Sequence, residues 1–469
     1  MTATIAPPPA RRGLQTWLRR LGEAMARHHR VILVIQWTVV IFYAFLVAVP
    51  AFLELPGEAA HLWDNLTRFA QFVLWGIWWP FVIVSMMAFG RIWCGVFCPE
   101  GALSEMASRR GLGKTIPRWI QWQGWSFVAF VTTTVYGQLV SIYEYPKPAL
   151  LVLGGSTLAA IGIGLLYGRG TRVWCRHLCP VNGVFGLLAR LAPLHFAVDT
   201  GAWRRSASVR HEPIVCAPLV DMRHMRRAHD CHMCGRCSGY REAIALAARP
   251  PGGGILGRGP AQTQLWEVLL LAYGLLGVAI GAFQWSASPW FVDLKQRLVA
   301  WLVERDTLAL LQDNAPWWLL THYPEAHDTF SWLDGLLILL YIGAVAVVLG
   351  TWVLASVYAS GRLLRLPPGV ARLYLAYGLT PLAGIGVCLG LSMVTLTMLK
   401  ASGVNTAWAG SAHVALLALG VAWSGWLLWR MTAGTASQTR PTRRAFAWGA
   451  ASSGMAAVVA AWSVLFFIW

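Results

Sequence analysis

The stretch GRIWCGVFCPEG, residues 90–101, places two cysteines directly after a long apolar run. The stretch TRVWCRHLCPVN, residues 171–182, repeats the pattern further along the chain. In both copies an arginine and a tryptophan precede the first cysteine, and a proline follows the second. The spacing C-x3-C-P is the tail of the cysteine run that holds iron–sulfur clusters in bacterial ferredoxins. The repeat therefore predicts metal-binding thiols beside a membrane. These thiols are Cys94, Cys98, Cys175 and Cys179.

Most of the chain is predicted to lie in a membrane. Of its 469 residues, 57% are apolar and only 12% are charged, whereas a soluble domain carries about 25% charged residues. Apolar stretches of about 20 residues are typical of transmembrane helices. Such stretches occur at 31–53, 69–90, 119–142, 149–168, 264–285, 333–357, 373–399, 409–429 and 446–469. We therefore expect an all-α polytopic membrane protein with about nine transmembrane helices and a small cytoplasmic ferredoxin-like iron–sulfur segment.

The charged residues indicate the orientation of these spans. With nine spans and an inner N-terminus, the inner segments hold 32 of the 38 Lys and Arg and 9 acidic residues. The outer segments hold 6 basic and 11 acidic residues. This asymmetry is the positive-inside pattern. It predicts a bacterial inner-membrane protein with a cytoplasmic N-terminus and a periplasmic C-terminus. Because topology accounts for the net charge of +18, no nucleic-acid partner is expected.

The chain is predicted to have three parts. Residues 1–168 form a four-helix membrane module that carries the first C-x3-C-P motif. Residues 169–262 form a cytoplasmic iron–sulfur segment that contains the second C-x3-C-P motif and, further on, three closely spaced cysteines. A linker rich in proline and glycine, residues 249–260, closes this segment. Residues 263–469 form a five-helix membrane module to which the sequence assigns no role.

The middle segment carries a third cysteine motif. In DCHMCGRCSGY, residues 230–240, three cysteines have the spacing C-x2-C-x2-C, which is the first part of the bacterial ferredoxin run. Arg241 stands where that run has its fourth cysteine. The alternative is a zinc site that uses the triplet with Cys216 and His232. The duplicated C-x3-C-P tails favour iron–sulfur clusters over zinc. The triplet consists of Cys231, Cys234 and Cys237.

The twin motifs WCGVFCP and WCRHLCP, each placed after a membrane span and followed by a ferredoxin-like segment, resemble those of the membrane polyferredoxins. That family includes the quinol-oxidising membrane iron–sulfur subunit of periplasmic nitrate reductase and the membrane part of the nitrous-oxide reductase regulator. The resemblance covers roughly residues 30–245. It implies electron transfer through [4Fe–4S] clusters and quinone as an exchange partner. Its members commonly carry two full ferredoxin runs, whereas this chain has one incomplete run.

Eight cysteines on the predicted cytoplasmic side match the ligands of two [4Fe–4S] clusters. That compartment keeps thiols reduced, so metal or redox chemistry is expected rather than disulfides. In the preferred partition the two C-x3-C-P pairs share one cluster, and Cys216 completes the triplet. In the competing partition Cys98 or Cys179 completes the triplet, as in two-cluster ferredoxins. The expected ligands are Cys94, Cys98, Cys175, Cys179, Cys216, Cys231, Cys234 and Cys237.

The sequence has no C-x-x-C-H motif, no pair of histidines inside the spans and no G-x-G-x-x-G after a predicted strand. Covalent haem, intramembrane haem and a dinucleotide are therefore not expected. We expect an electron carrier or a quinone-linked oxidoreductase subunit, with no catalytic residue of its own. It would exchange electrons between the quinone pool and a cytochrome, ferredoxin or reductase. The alternatives are a redox-sensing regulatory or maturation factor of a respiratory or photosynthetic system, and a zinc-stabilised transporter.

Two groups of polar residues near the predicted membrane edges have more than one interpretation. Arg91 and Arg172 each precede a cysteine pair by three residues. They either anchor the chain at the lipid surface or raise the potential of a cluster with their positive charge. On the outer side, several residues are candidates for a quinone site or are simply solvated loop residues. These are His61, Glu144, His322, Glu325, His327, Asp328 and His413.

Overall fold

The computed structural model describes residues 9–57, 60–225, 231–435 and 440–469, and it is mostly helical. Asp230, at the start of the triplet motif, lies outside the described residues. The principal helices are α1 (Pro9–Arg27), α2 (His29–Phe52), α3 (Leu66–Phe89), α4 (Pro99–Arg109), α5 (Trp125–Leu139), α6 (Pro146–Tyr167), α7 (Val173–His177), α8 (Asn182–Leu188), α9 (Thr200–Arg205), α10 (Leu265–Ala287), α11 (Pro289–Glu304), α12 (Trp332–Leu363), α13 (Gly369–Ala401), α14 (Ala409–Gly434) and α15 (Pro441–Ile468).

Eight helices in the described part of the chain are long and apolar enough to cross a membrane, namely α2, α3, α6, α10 and α12 to α15. The third predicted span, 119–142, instead forms the 15-residue helix α5. The ends of α5 nevertheless lie beside the two ends of α10. The Trp122 ring is 5.0 Å from that of Trp266, and Trp285 Nε1 donates to Gln138 Oε1 at 2.8 Å. Because Trp266 and Trp285 are separated by about 28 Å of helix, α5 and the turn before it accompany most of α10.

The chain forms two compact units. The first comprises the described residues of Met1–Tyr43, Ser85–Gln121 and Thr157–Ile255. It contains all eight of the cysteines predicted to bind clusters. The second comprises the described residues of the remainder: Ala44–Val84, Trp122–Ser156 and Leu256–Trp469. The division into parts at 168 and 262 stays a prediction.

The prediction of an all-α chain is wrong in one detail, because the structure contains two short antiparallel strand pairs. In the first unit β1 (Leu194–Val198) pairs with β2 (Ile244–Ala248). In the second unit β3 (His322–Tyr323) pairs with β4 (Asp328–Thr329). The β1–β2 pair brings together the two ends of the segment that carries Cys216 and the triplet. These strands are too short to give a clear alternating pattern in the sequence.

Helix α1 packs on this small sheet through one face. Leu18 is 2% exposed and belongs to an apolar cluster with Phe196 and Leu246 of the two strands. Cys231 and Met233 belong to the same cluster. The ladder of helix hydrogen bonds is interrupted at His28, whose carbonyl accepts from Val31 and Ile32 at the start of α2. Helix α1 is therefore part of the core around the cysteine triplet.

Candidate metal centre

The two C-x3-C-P motifs adopt the same local structure. The backbone N–H of Cys98 donates to the carbonyl of Trp93 at 2.8 Å, and that of Cys179 donates to the carbonyl of Trp174 at 3.0 Å. Each bond closes a turn from the tryptophan to the second cysteine of the motif. Pro99 then begins α4, where a residue without an N–H is tolerated. The sequence repeat is therefore also a structural repeat.

The repeats bind each other through the residues that surround the cysteines. Arg91 of the first motif donates from Nη2 to Asn182 Oδ1 at 2.8 Å, just beyond the second motif. In the opposite direction, Trp174 Nε1 donates to Glu100 Oε2 at 3.1 Å. These reciprocal bonds hold the two cysteine pairs against each other. Sequence spacing could not reveal them, because the partners lie on different helices.

The four thiols of the repeats act on one another electrostatically. Burial raises the pKa of Cys98 well above its usual range, and the charges of Cys175 and Cys94 raise it further. Burial likewise raises the pKa of Cys175 to about 12, with Arg172 opposing the shift. The pKa of Cys179 is raised well above its ordinary value by burial, Glu100 and the Cys175 and Cys98 thiols. These four thiols are therefore expected to lose their protons readily only when a metal centre binds them.

Cys216 and the triplet form a second set of the same kind. Burial raises the pKa of Cys231 well above its usual range, and Cys237 and Cys234 add to the shift. The pKa of Cys237 is raised to about 12 by burial and by Cys234 and Cys216. Burial and the charge of Cys234 both raise the pKa of Cys216. Cys216 is therefore an electrostatic neighbour of the triplet.

Arg241 does not take the place of the missing ligand. Its backbone has φ +54°, in the left-handed region, and its guanidinium carbon lies 5.1 Å from the centre of the Trp203 ring. The residue at the fourth position of the ferredoxin run thus stacks on an aromatic ring.

The two sets of thiols approach each other through backbone atoms. A side chain at Gly95 would place its Cβ against the His232 carbonyl oxygen and 2.7 Å from the Cys234 nitrogen. Gln36 Nε2 donates to the Gly95 carbonyl at 2.8 Å from within α2. Only glycine fits this close approach, which brings the first motif against the triplet.

Buried charges surround both sets. Arg91 is 4% exposed and Arg172 is 1% exposed, so the interpretation of these residues as lipid-surface anchors is wrong. Their positive charges lie beside the thiols, where they would offset the negative charge of a bound cluster. Arg172 Nε lies 2.9 Å from Glu105 Oε2, and Arg236 Nη2 lies 2.6 Å from Glu105 Oε1. Sequence reasoning missed Glu105, because these two partners are far away along the chain.

The residues present match the ligand set of [4Fe–4S] clusters. Each such cluster takes four cysteine thiolates, and the chain offers two sets of four thiols. Arg172 Nη2 and His232 Nδ1 are buried polar atoms with no hydrogen-bond partner in the described part of the chain, as expected beside a group that would supply one. Burial lowers the pKa of His232 well below its usual range, so its ring is neutral.

Zinc takes four ligands around one ion. Across residues 9–57, 60–225, 231–435 and 440–469, no three His, Cys, Asp or Glu side chains are grouped so that they could hold a metal ion.

Three of the seven outer-side residues considered for a quinone site are shown paired with neighbours. His61 lies 3.3 Å from Asp64 through Nδ1, and His413 Nε2 lies 2.9 Å from Ser392 Oγ. Asp328 accepts from the Tyr145 hydroxyl at 2.8 Å. The structure shows a feature that sequence reasoning missed, a cavity of about 560 Å³ between α11 and the end of α10. It is lined by Trp285, Ser286, Phe291, Val292, Lys295, Gln296, Val299 and Ala300.

Comparison with known proteins agrees with the iron–sulfur interpretation. The model of a 4Fe-4S binding domain matches the chain twice, at residues 71–119 and 152–198. Each match contains one C-x3-C-P motif. The chain is 28% identical over 179 residues to the ferredoxin-type protein NapH of Escherichia coli, a match that covers 33% of this chain and 60% of NapH. No solved structure matches the chain significantly.

A second relative is YccM of Escherichia coli, whose name describes it as a candidate electron transport protein. The chain is 20% identical to it over 251 residues, which cover 47% of this chain and 68% of YccM. These findings confirm the resemblance to the membrane polyferredoxins. The chain carries a duplicated 4Fe-4S binding domain together with helices able to cross a membrane.

Proposed function

We propose that the chain is a membrane electron-transfer protein that carries two [4Fe–4S] clusters and exchanges electrons between the quinone pool and a redox partner. The observation that supports this most strongly is the interlocking of the two C-x3-C-P motifs, with the triplet loop lying against Gly95 of the first motif. When bound, the clusters would supply one-electron redox chemistry. The names of the two relatives, ferredoxin-type and electron transport, agree with this function.

The residues of the chain have three roles in this proposal. The cysteines of the repeats hold one cluster, and Cys216 with the triplet holds the other. The apolar cluster around Leu18 and Met233 excludes water from the second set. Arg91 and Arg172 neutralise negative charge in a buried environment, where an uncompensated charge is costly.

The proposed topology has nine crossings with a cytoplasmic N-terminus and a periplasmic C-terminus. Helix α5 supplies the additional crossing, since it accompanies α10 from Trp266 to Trp285. With that crossing, α3 and α6 both run from the outer to the inner side. Their C-terminal ends then deliver both C-x3-C-P motifs to the same face of the membrane, as a shared cluster requires.

The cavity of about 560 Å³ between α10 and α11 lies at the outer end of α10 in the proposed topology, on the opposite side of the membrane from the thiols. Because the hydrocarbon core is about 30 Å thick, a quinone in this cavity could not pass electrons directly to the clusters. The quinone ring therefore has to reach the clusters from the cytoplasmic edge of the membrane. The redox partner on the other side of the reaction would be a cytochrome, ferredoxin or reductase.

The test is reduction of the clusters by a quinol analogue in membranes. We expect anaerobically purified protein to show the visible and EPR spectra of [4Fe–4S] clusters, and a quinol to reduce them. A quinone-site inhibitor should block reduction by the quinol while dithionite still reduces the clusters fully. Clusters that only soluble donors reduce would contradict the quinone function and favour a redox sensor.

A further inference from the structure

Arg172 occupies an unusual position in the first unit. It is 1% exposed, and its guanidinium is held on two sides. Nε donates to Glu105 Oε2 at 2.9 Å, and Nη1 donates to the Cys94 carbonyl oxygen. Nη2 is buried and makes no hydrogen bond to the described residues. The side chain is therefore fixed, with one donor left available.

The packing around Arg172 leaves it little freedom to move. A Cβ on Gly101 would lie 3.0 Å from Nη1, so a side chain at that position would press on the guanidinium. Glu105 is itself held by Arg236 at 2.6 Å. A planar guanidinium with two fixed bonds also presents its third nitrogen in a fixed direction. The free donor is thus positioned by α4, on which both Gly101 and Glu105 lie.

Arg172 is bonded to residues of both cysteine motifs. Its Nη1 donates to the carbonyl oxygen of Cys94 in the first set. Glu105 joins its Nε to Arg236, which lies between Cys234 and Cys237 of the second set.

Arg91, the matching residue of the first repeat, makes a different bond. Its Nη2 donates to Asn182 Oδ1 at 2.8 Å, just beyond the second repeat.

We propose that Arg172 is a positioning residue shared by the two clusters, which uses one fixed charge and its free Nη2 donor to set the potentials of both. This inference rests on the proposed function. A positive charge stabilises the more negative, reduced form of a cluster, so a charge placed between two clusters raises both potentials together. Electrons can then pass between the clusters without a large step in free energy, one being oxidised as the other is reduced.

The test is an EPR-monitored redox titration of Arg172→Gln in the full-length protein. Removal of the shared charge should move both midpoint potentials to more negative values. At a fixed potential the ratio of reduced to oxidised protein should fall at least tenfold at each centre, which corresponds to about 59 mV for a one-electron couple. Arg109→Gln is the matched comparison, because it removes an exposed charge that lies 3.6 Å from the same carboxylate, and it should leave both potentials close to those of the wild-type protein. Arg172→Lys, which keeps the charge, should restore most of the shift at both centres.

Several results would overturn the inference. A shift confined to one centre in Arg172→Gln would contradict it, as would shifts of the same size in Arg109→Gln. If the Arg172→Gln protein does not retain iron, the midpoint potentials of Arg172→Lys provide the test. Potentials close to those of the wild-type protein at both centres support a shared charge, and a large shift at one centre alone contradicts it. Failure of the proposed function would appear separately, as wild-type protein without two EPR-active clusters.

Discussion

Glu105 is a buried carboxylate on which three arginines converge. Arg172 and Arg236 lie within 2.9 Å of its oxygens, and Arg109 lies at 3.6 Å. Burial raises the pKa of Glu105, but the charges of Arg172 and Arg236 outweigh burial and hold its pKa below the ordinary value. The carboxylate is therefore ionised at neutral pH, and it offsets cations that would otherwise be buried without a counter-charge.

We expect Glu105→Gln to destabilise the protein by about 3 to 5 kcal/mol at neutral pH, since removal of one partner leaves buried charges uncompensated. Because the pKa of Glu105 is lower in the folded protein, its ionised carboxylate stabilises the folded state at pH values above the unfolded-state pKa. This stabilisation is lost as the pH falls through the folded-state pKa. The difference between variant and wild type should therefore shrink in acid. Thermal unfolding midpoints over a pH series measure it. The control is Glu23→Gln, which breaks an exposed pair with Arg19 and should lower the free energy of unfolding by about 0 to 1 kcal/mol. An equal loss of stability in both variants would refute the role assigned to Glu105.

At the scale of elements, α1 forms one wall of the second thiol set. Gly22 allows this packing, because a Cβ there would lie 2.7 Å from Ser238 Oγ and 3.1 Å from Leu246 Cβ. Gly235, within the triplet motif, similarly faces Met25. The N-terminal helix is therefore coupled to the cysteine triplet although about 200 residues of sequence separate them.

We expect Gly22→Leu to lower the iron content of the second set while the set held by the repeats keeps its iron. Overpacking of this kind costs about 1 to 3 kcal/mol, and the strain would fall on β2 and the triplet loop. Gly13→Leu is the control in the same helix, because no atom lies within 4 Å of a Cβ at that position. Iron analysis and EPR of both variants measure the effect. Equal iron in the two variants would show that α1 does not support this set.

The elements differ in how well the sequence predicts them. The eight long spans follow from apolar length alone, since the bilayer sets how many apolar residues a helix needs. Helix α5 is shorter than its apolar stretch, because turns at 118–124 and 140–144 take up both ends. The strands β1 and β2 went unpredicted, since their pairing joins segments that lie far apart in the sequence. The local pattern of apolar residues specifies the spans, whereas long-range packing determines the pairing of the strands.

At the scale of the whole molecule, the proposed topology depends on α5 crossing the membrane. Helices α3 and α6 can both run from the outer to the inner side only if the chain between them crosses the membrane. Helix α5 is the segment that would make this crossing. Reporter fusions near Lys114 and near Pro251 should therefore behave as cytoplasmic, and fusions near Tyr145 and after Trp469 as periplasmic. A cytoplasmic reporter at Tyr145 would remove the ninth crossing and separate the two C-x3-C-P motifs by a membrane, which the interlocked repeats do not allow.

The same distinction between local pattern and long-range packing applies to the candidate site. Spacing identified the cysteines of all three motifs, because metal ligands recur at fixed intervals. It could not choose between partitions of the thiols. Arg91 bonding to Asn182, and Trp174 to Glu100, join residues that the sequence keeps far apart. These contacts favour a cluster shared by the two repeats, and the electrostatic neighbours of Cys216 favour its place with the triplet.

The most direct test of the two-cluster arrangement is iron content and EPR of anaerobically purified Cys216→Ala, with Cys94→Ala as its counterpart. We predict that Cys216→Ala loses about half of its iron and one EPR signal, and keeps the signal of the cluster held by the repeats. Cys94→Ala should lose the other signal. If Cys216→Ala keeps full iron and both signals, Cys216 is not a ligand, and Cys98 or Cys179 must complete the triplet instead.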